Sequence, residues 1–197
     1  MSRPNRTQLR IITGSLKNRR IACTVTEILR PTPQMVREAY FSILGDAIPE
    51  RPFYDIFAGT GVIGLEAISR GASNATFLER DVRFAGAIDK YLSEFGVADR
   101  GQVVRADVYR WAERWMPRAD TPVNVFLSPP FADLQARRAD FLALVATLQA
   151  KVPVGSVLVI QGETGFPETE LPVAEAWERR QYGRNLLLIW IRLPLAA

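Results

Sequence analysis

Histidine is absent from this chain of 197 residues, and cysteine occurs once, at position 23. Because histidine is the usual general base near neutral pH and a common zinc ligand, its absence excludes any mechanism with a histidine base. We therefore expect no metal site. The single Cys23 cannot form an internal disulfide, and we interpret it as a strand residue. No apolar leader segment follows the basic N-terminus, so the sequence is typical of a cytoplasmic protein.

Long apolar runs are missing as well, and none approaches the roughly 20 residues that a membrane-spanning helix needs. We expect no contact with a membrane. Hydrophobic residues nevertheless make up 48% of the chain, which is enough for a full core. Without an internal repeat or a long linker, this length predicts one main domain, residues 31–197, and a small basic extension, residues 1–30. We also expect a monomer.

Positive charge is concentrated at the N-terminus. Eight basic residues against one acid, Glu27, give residues 1–37 a net charge of +7, so the overall +4 leaves −3 for the rest. The basic residues are Arg3, Arg6, Arg10, Lys17, Arg19, Arg20, Arg30 and Arg37. A basic arm on a slightly acidic body indicates a polyanion such as nucleic acid as partner. The alternative is an ordinary solvated surface.

The N-terminal segment is predicted to form a β-hairpin. Gln8–Thr13 and Arg20–Val25 have the pattern of short strands, and the basic turn between them, residues 14–19, can reach phosphates. We expect residues 1–8 to be disordered. The ribbon is too small to be stable alone, so it should pack on the residues that follow.

An extended connector, Arg30–Pro33, leads into a predicted helix from about Pro33 to Leu44. Thr32 is expected to cap this helix. Arg37 should lie off its apolar face, either near a ligand pocket or in a surface ion pair. The expected apolar face comprises Val36, Ala39, Tyr40 and Ile43.

Short apolar runs alternate with amphipathic segments in the rest of the chain. The predicted strands cover about 53–57, 75–78, 102–105, 122–127 and 156–161, and the later helices cover about 82–95, a stretch ending near 115, and 133–148. This alternation predicts an α/β fold with a parallel sheet and right-handed crossovers. The tail, residues 174–193, is predicted to form an antiparallel hairpin, which differs from the dinucleotide-binding fold.

Gly59, Gly61 and Gly64 form a G-x-G-x-x-G pattern between the first of these strands and a helical segment that includes Leu65. Strand, glycine turn and helix are the context of a nucleotide-binding loop. Glycine permits positive φ angles and a close approach of ligand to backbone, and the first amides of the helix can bind a negatively charged group. The alternative is a purely structural turn in a doubly wound protein.

Acidic residues stand at or near the carboxyl ends of three predicted strands, where ligands bind in open α/β sheets. Asp55 precedes the glycine pattern, Glu79 follows Gly61 by 18 residues, and Asp107 ends the third strand. An acid at position 79 can accept hydrogen bonds from a ribose diol, and Asp107 can bind the edge of a base. Each acid alone could be a helix cap, but three in register with one glycine loop favour a ligand site. The fourth strand ends at Ser128–Phe131.

The segment from Asp55 to Ala72 resembles the first motif of S-adenosylmethionine-dependent methyltransferases. More narrowly, the chain resembles the RsmD family, which methylates the N2 amine of a guanine in 16S ribosomal RNA. The narrower resemblance is carried by Arg10–Gly14, Arg30–Thr32, Val36–Glu38, Leu78–Asp81 and Ser128–Phe131. The glycine motif is general to the superfamily, whereas Arg-Pro-Thr combined with the Pro-Pro-Phe motif is specific.

The resemblance implies a seven-stranded Rossmann-like methyltransferase sheet, its last strand antiparallel, in residues 31–197, with S-adenosylmethionine as cofactor. The implied cofactor-binding residues are Asp55, Phe57, Ala58, Gly59, Thr60, Gly61, Glu79, Arg80, Asp81, Asp107 and Val108. The implied catalytic residues are Ser128, Pro129, Pro130 and Phe131, with Phe131 stacking on the base. The implied RNA contacts are Arg10, Lys17, Arg19, Arg20, Arg30, Thr32 and Arg37. The implied partner is 16S ribosomal RNA, free or in an assembling small ribosomal subunit.

Ser128 departs from the family, whose motif begins with Asp or Asn. An exocyclic amine is a poor nucleophile because its lone pair is shared with the ring. An acidic or amide oxygen, with the carbonyl of the next proline, can accept both amine protons and localise that lone pair. Serine offers one neutral oxygen on a shorter arm. Four explanations of this serine stay open. Serine with a bridging water is sufficient for catalysis, or the enzyme is slow or altered in its substrate. Alternatively, the chain binds cofactor and RNA without catalysis, or the serine was introduced in the laboratory.

Three other functions stay open at this point. An adenine-N6 or other exocyclic-amine methyltransferase on DNA or RNA would use the same Pro-Pro-aromatic motif. A non-catalytic RNA-binding relative would keep the cofactor fold. An NAD-dependent oxidoreductase would share the glycine loop, but Pro129–Phe131 and the terminal hairpin disfavour it.

Overall fold

The computed structural model describes residues 5–25 and 31–194. Its first element is the hairpin, in which β1 (Asn5–Arg10) and β2 (Arg20–Val25) pair antiparallel. The first strand begins and ends three residues earlier than predicted, because residues 11–19 fold into a longer connection. Two backbone hydrogen bonds close that connection: the amide of Ile11 donates to the carbonyl of Arg19, and the amide of Asn18 donates to the carbonyl of Ile11. The expected disorder is therefore wrong for residues 5–8.

The described helices lie close to their predicted positions, with one division. They are α1 (Gln34–Leu44), α2 (Val62–Ser69), α3 (Val82–Glu94), α4 (Val108–Arg114), α5 (Phe131–Ala136) and α6 (Arg138–Lys151). The single helix predicted over 133–148 is two helices because the backbone of Arg137 leaves the helical region, at φ −130° and ψ 36°. No helix within the described ranges is long and apolar enough to cross a membrane.

The main sheet has seven strands. They are β3 (Pro52–Ile56), β4 (Asn74–Leu78), β5 (Gly101–Val104), β6 (Asn124–Leu127), β7 (Val157–Glu163), β8 (Glu178–Tyr182) and β9 (Asn185–Ile191). Their order is β5-β4-β3-β6-β7-β9-β8. Strands β3 to β7 are parallel and β9 runs antiparallel to both of its neighbours. The predicted seven-stranded sheet with an antiparallel last strand is confirmed.

The chain reverses its direction of travel across the sheet between β3 and β6. Successive strands first extend from β3 to one edge, through β4 and β5, and then continue from β6 to the other edge. In sheets of this kind the ligand lies outside the carboxyl ends of the strands at this reversal point. The fold therefore directs attention to the loops that follow β3 and β6.

The sheet separates two apolar cores. One core includes Phe53, Leu65 and Ile88 on the side of α1 to α3, and the other includes Leu127, Phe141 and Leu158 on the side of α4 and α6. Apolar side chains of the hairpin, Ile11, Leu16 and Ile21, belong to the first core. The hairpin thus packs on the main domain as predicted, and the division at residue 30 stays a prediction.

Helix α1 buries Val36 and Tyr40 as the sequence predicts, but its buried face includes Arg37 and leaves out Ile43. Arg37 is 1% exposed, whereas Ile43 is 37% exposed. The predicted assignment of these two residues is wrong because the side of α1 that carries Arg37 faces an acidic partner in α2, described below. Thr32 does not cap the helix either, since its hydroxyl donates to Gln161 Oε1 at 2.6 Å.

Candidate functional site

The loop after β3 has an unusual backbone. Gly61 adopts a φ of 71°, and Phe57, which carries a full side chain, adopts a φ of 66°. A non-glycine residue in the left-handed region costs free energy, and such residues cluster at functional sites. Gly64 is required for another reason: a Cβ there would lie 2.2 Å from the ring of Phe77 in β4. The glycine pattern therefore serves both the loop conformation and the packing of α2 on the sheet.

Asp55 lies beneath this loop. It is 1% exposed, and its Oδ2 accepts a hydrogen bond from the amide of Gly64 at 2.9 Å. Burial raises the pKa of Asp55 to about 8, aided by the charge of Glu79 and opposed by the Gly64 amide. The resemblance implies that Asp55 helps to bind the cofactor. Its side chain is buried and holds the first turn of α2, so it is not exposed for a direct contact with a ligand.

Glu79, at the end of β4, connects two loops. Its two oxygens accept hydrogen bonds at 2.8 Å from the amides of Gly59 and Asp81. Burial raises the pKa of Glu79, while these amides oppose the rise. A carboxylate has about four acceptor positions, so Glu79 can still accept ribose hydroxyls while it holds the glycine loop. Glu79 thereby fixes the backbone of the glycine loop relative to the loop after β4.

The residues next to Glu79 are tied to their own partners. Asp81 caps α3 through the amide of Arg83, and its hydrogen bond with the Arg83 side chain lowers the pKa of Asp81 to about 2. The exposed guanidinium of Arg80 lies 3.4 Å from Asp133 of α5. This second pair brings the loop after β4 towards the segment that follows β6.

Asp107 stands at the end of β5 and caps α4. Its Oδ1 accepts hydrogen bonds from the amides of Tyr109 and Arg110, and its Oδ2 accepts one from Arg137 at 3.0 Å. Burial opposes ionisation, but Arg137 and the amides outweigh it and lower the pKa of Asp107. Val108 is buried as the first residue of α4.

An aromatic and cationic cluster joins this corner to the glycine loop. The guanidinium of Arg137 lies 3.9 Å from the centre of the Tyr109 ring. The centres of the Tyr109 and Phe57 rings are 6.0 Å apart, in an edge-to-face arrangement. Cation–π contacts of this kind stabilise by roughly 0.5–2 kcal/mol. The sequence did not predict the roles of Arg137 and Tyr109, because residues from different segments meet here and no local pattern marks them.

The tetrapeptide Ser128–Phe131 follows β6 directly. The amide of Ser128 donates to the carbonyl of Ile56 in β3 at 3.3 Å. Pro129 is buried, Ser128 and Pro130 are half-buried, and Pro130 precedes the first residue of α5. The backbone bond to β3 places Ser128 beside the residue that leads into the glycine loop.

The register of the sheet brings these four segments to one edge. Ile56 of β3 is level with Leu78 of β4 and with Leu127 of β6, and Leu78 is level with Val104 of β5. The loops that begin at residues 57, 79, 105 and 128 therefore leave the sheet at the same height. Glu79, Asp107, the glycine loop and the tetrapeptide line one rim, in the places where the sequence predicts them.

The expected RNA contacts divide into exposed and buried residues. Arg10, Lys17, Arg19 and Arg20 are exposed on the hairpin, and Arg30 lies outside the described residues. Thr32 is 7% exposed. Arg37 is buried and donates to Glu66 Oε2 at 2.9 Å and to the carbonyl of Arg10 at 3.0 Å. Because its guanidinium is occupied inside the protein, we do not propose Arg37 as a direct RNA contact.

Glu66 is the unpredicted centre of this buried network. It is 0% exposed, and it also accepts hydrogen bonds from Arg70 at 2.9 Å and from the amide of Ile12 at 3.3 Å. One carboxylate on the helix of the glycine loop thus holds α1 and the hairpin. The sequence signal was a lone acid in an apolar helix, which indicates a buried partner without identifying it.

The strand order, the antiparallel last strand and the acid-lined rim beside a glycine loop define a class I methyltransferase, whose methyl donor is S-adenosylmethionine. The chain belongs to the RsmD family, since the family profile described as "Conserved hypothetical protein 95" matches residues 9–191. The resemblance stated from the sequence is thereby confirmed.

Individual relatives agree with this assignment. "Ribosomal RNA small subunit methyltransferase D" of Escherichia coli K12 is 36% identical over 135 residues, which is 66% of this chain and 66% of that protein. The protein of the same name from Haemophilus influenzae is 34% identical over 125 residues, 63% of this chain and 64% of the relative. These alignments thus span about two thirds of the relatives' lengths.

Solved structures share the fold. Escherichia coli YhhF superposes with a TM-score of 0.75 at 25% identity, covering 95% of this chain and 99% of that one. The Thermus thermophilus 16S rRNA N2 G1207 methyltransferase RsmC, in complex with AdoMet and guanosine, gives a TM-score of 0.72 at 19% identity, covering 98% of this chain and 51% of that one. At that identity the second likeness concerns the fold alone.

Proposed function

We propose that the protein transfers the methyl group of S-adenosylmethionine to the exocyclic N2 amine of a guanine in 16S ribosomal RNA. The observation that carries this proposal is the position of Ser128–Phe131 on the same rim as the glycine loop, with Ser128 bonded to β3. The names of the RsmD relatives, which are small-subunit RNA methyltransferases, support the polymer. The substrate is the free RNA or the assembling small ribosomal subunit.

The residues on the rim fit the cofactor. Glu79 would bind the ribose hydroxyls with its remaining acceptor positions, and Asp107 with Val108 would bind the adenine edge. The backbone of residues 57–61, fixed by Glu79 and Asp55, would hold the amino acid part. Arg80 and Asp81 follow Glu79 in the same loop and would lie beside the ribose. The bound cofactor supplies an electrophilic methyl group on a positively charged sulfur.

The tetrapeptide is proposed to position and activate the amine. The hydroxyl oxygen of Ser128 and the carbonyl oxygen of Pro129 would accept hydrogen bonds from the two amine N–H groups, so that the nitrogen lone pair is localised and directed at the methyl group. The proton that the nitrogen loses on methylation would pass to solvent, because neither oxygen is basic. Pro130 and Phe131 complete the segment that receives the base. The protein therefore acts by positioning and by hydrogen bonding, without a covalent intermediate.

The exposed basic residues of the hairpin are proposed to bind the RNA. Arg10, Lys17, Arg19 and Arg20 lie on its surface. Their contacts with phosphates would position the RNA without reading its sequence. The choice of target nucleotide would then come from the RNA's shape and from the pocket for the base.

A labelled-methyl assay tests this function. Cofactor labelled with tritium in its methyl group is incubated with 16S RNA and, in parallel, with small-subunit particles, and the RNA is then digested to nucleosides. We expect the label in N2-methylguanosine. Label in N6-methyladenosine would replace guanine by adenine as the target. Cofactor binding without any transfer to either substrate would contradict the proposal and favour a non-catalytic RNA-binding protein.

A further inference from the structure

A basic cleft lies between the hairpin, the start of α1 and the turn between β8 and β9. Its volume is about 720 Å³. Arginines from four separate segments line it, and no acid does so among the described lining residues. These arginines are Arg10, Arg20, Arg37 and Arg184. The charge of Arg37 is paired with Glu66, so the cleft's available positive charge comes from Arg10 and Arg20 of the hairpin and from Arg184, which is far from them in sequence.

The cleft opens at the same edge of the sheet as the tetrapeptide. Leu127, the last residue of β6, is level with Ile160 of β7, so Ser128 and Gln161 each follow one residue of the last pair in this register. Gln161 accepts the hydrogen bond from Thr32, and Thr32 is part of the cleft wall. Neighbouring strands lie about 4.8 Å apart, so this wall of the cleft is adjacent to the position of the reacting base.

Arg184 reaches this edge through the terminal hairpin of the sheet. Its carbonyl accepts a hydrogen bond from the amide of Thr164, and the next residue, Asn185, is level with Glu163 at the end of β7. The antiparallel direction of β9 therefore returns the chain to the carboxyl edge of the parallel strands. The turn before β9 carries a positive charge to the cleft at this point.

Two of the cations face each other directly. Arg10 and Arg20 are partners across the β1–β2 pair, and like charges in this arrangement destabilise a sheet. The side chain of Arg20 donates to the neutral Gln8, and neither arginine pairs with an acid within the described ranges. A bound anion between them would remove the repulsion, and arginine matches the geometry of phosphate oxygens.

We propose that this cleft binds the phosphodiester backbone of the RNA strand beside the target nucleotide, with Arg184 as one of its phosphate contacts. The inference rests on the proposed function, because it takes the tetrapeptide as the position of the reacting base. The strand would pass from the cleft over the wall formed by Thr32 to the rim of the sheet. The terminal hairpin therefore belongs to the RNA-binding surface together with the N-terminal one.

Substitutions of Arg184 and Arg10 to glutamine test the cleft. The full chain binds a fluorescently labelled, unstructured RNA oligonucleotide, and anisotropy gives the affinity between 50 and 200 mM salt. For each variant we expect affinity about tenfold weaker, and a salt slope reduced by about 0.7 for each lost contact with single-stranded RNA. The matched control is Arg114→Gln, an exposed arginine at the end of α4, which should bind as the parent chain does.

Two further arms separate the possible outcomes. Inorganic phosphate and a nucleoside monophosphate are titrated by calorimetry into the parent and the Arg184 variant; if either binds the parent but not the variant while both chains bind the RNA equally, the cleft is a site for small phosphates and the proposal is overturned. Unchanged affinity and salt slope in Arg184→Gln would also overturn it, even if the parent methylates RNA. Arg184-dependent binding without methyl transfer would instead leave the cleft in place and contradict the proposed reaction.

Discussion

At the scale of single residues, Ser128 stands where the motif of the family begins with an acid or an amide, and this difference bears most directly on the rate of methyl transfer. A carboxylate would accept an amine proton through a charge-assisted hydrogen bond, whereas the serine hydroxyl offers a neutral one. The difference is on the order of 1–2 kcal/mol, or roughly five- to thirtyfold in rate. The backbone bond of residue 128 to Ile56 does not depend on the side chain, so substitutions here can be compared directly.

Ser128→Asp is therefore expected to raise the rate of methyl transfer to RNA by about five- to thirtyfold, the size of the difference between the two kinds of hydrogen bond. The rate is measured with saturating cofactor, and cofactor affinity is measured separately by calorimetry. Ser128→Ala serves as the matched variant and should lower the rate. Equal or lower turnover in Ser128→Asp, at unchanged cofactor affinity, would show that the oxygen of Ser128 does not have the proposed role.

Asp55 gives a prediction about pH. Its pKa of about 8 lies above the ordinary value of 3.8, so between these values the folded chain holds a proton that the unfolded chain has released. The free energy of unfolding should therefore fall as pH rises through this window, by at most about 1.4 kcal/mol for each pH unit. Asp55→Asn keeps an acceptor for the Gly64 amide and should remove this contribution to the slope.

Urea unfolding of both proteins at pH 5, 6, 7 and 8 measures this effect. The difference in stability between Asp55→Asn and the parent should grow with pH in favour of the variant. Parallel stability curves across the window would mean that Asp55 is not the titrating group. Glu79, whose pKa is also raised by burial, contributes a slope of the same sign in both proteins.

At the scale of secondary-structure elements, a single carboxylate joins three of them. Glu66 of α2 binds Arg37 of α1, Arg70 in the turn after α2, and the amide of Ile12 in the hairpin. Burial lowers the pKa of Arg37, and the charge of Glu66 opposes this. Removing the carboxylate leaves a buried guanidinium without its counter-charge, which is the costly way to break a buried pair.

We expect Glu66→Gln to lower the free energy of unfolding by about 3–5 kcal/mol. The matched control is Glu94→Gln on α3, whose pair with Lys90 is exposed and should be worth less than about 1 kcal/mol. Chemical unfolding of the three proteins at one pH gives the comparison. A loss in Glu66→Gln as small as that of the control would mean that the network does not hold the hairpin, α1 and α2 together.

At the scale of the whole molecule, the architecture could be predicted from the sequence more fully than the contacts between distant residues could. The alternation of strands and helices predicted the parallel sheet, and the tail predicted the antiparallel hairpin, because period and order are local properties. The full set of seven strands was implied by the family resemblance and is confirmed. The contacts of Glu66, Tyr109 and Arg137 were missed, because each of these residues meets a partner from a distant segment. Arg37 was placed on the wrong side of α1 for the same reason, since its burial depends on Glu66, which lies opposite.

Cofactor binding gives a prediction for the whole chain. S-adenosylmethionine at about 100 times its Kd should stabilise the folded state by about 2.7 kcal/mol, which for a chain of this size is a rise in Tm of about 5–10 °C. NAD at the same concentration should give no shift, because the rim and the tetrapeptide are those of a methyltransferase. A shift with NAD and none with S-adenosylmethionine would favour an oxidoreductase.

The central claim is that the methyl donor lies across the rim between the glycine loop and Ser128–Phe131. A crystal structure of the chain with S-adenosylhomocysteine tests this claim most directly. We predict the ribose at Glu79, the adenine at Asp107 and Val108, and the sulfur facing the tetrapeptide. A rim filled by side chains with the ligand bound elsewhere, or a tetrapeptide directed away from the glycine loop, would contradict the account.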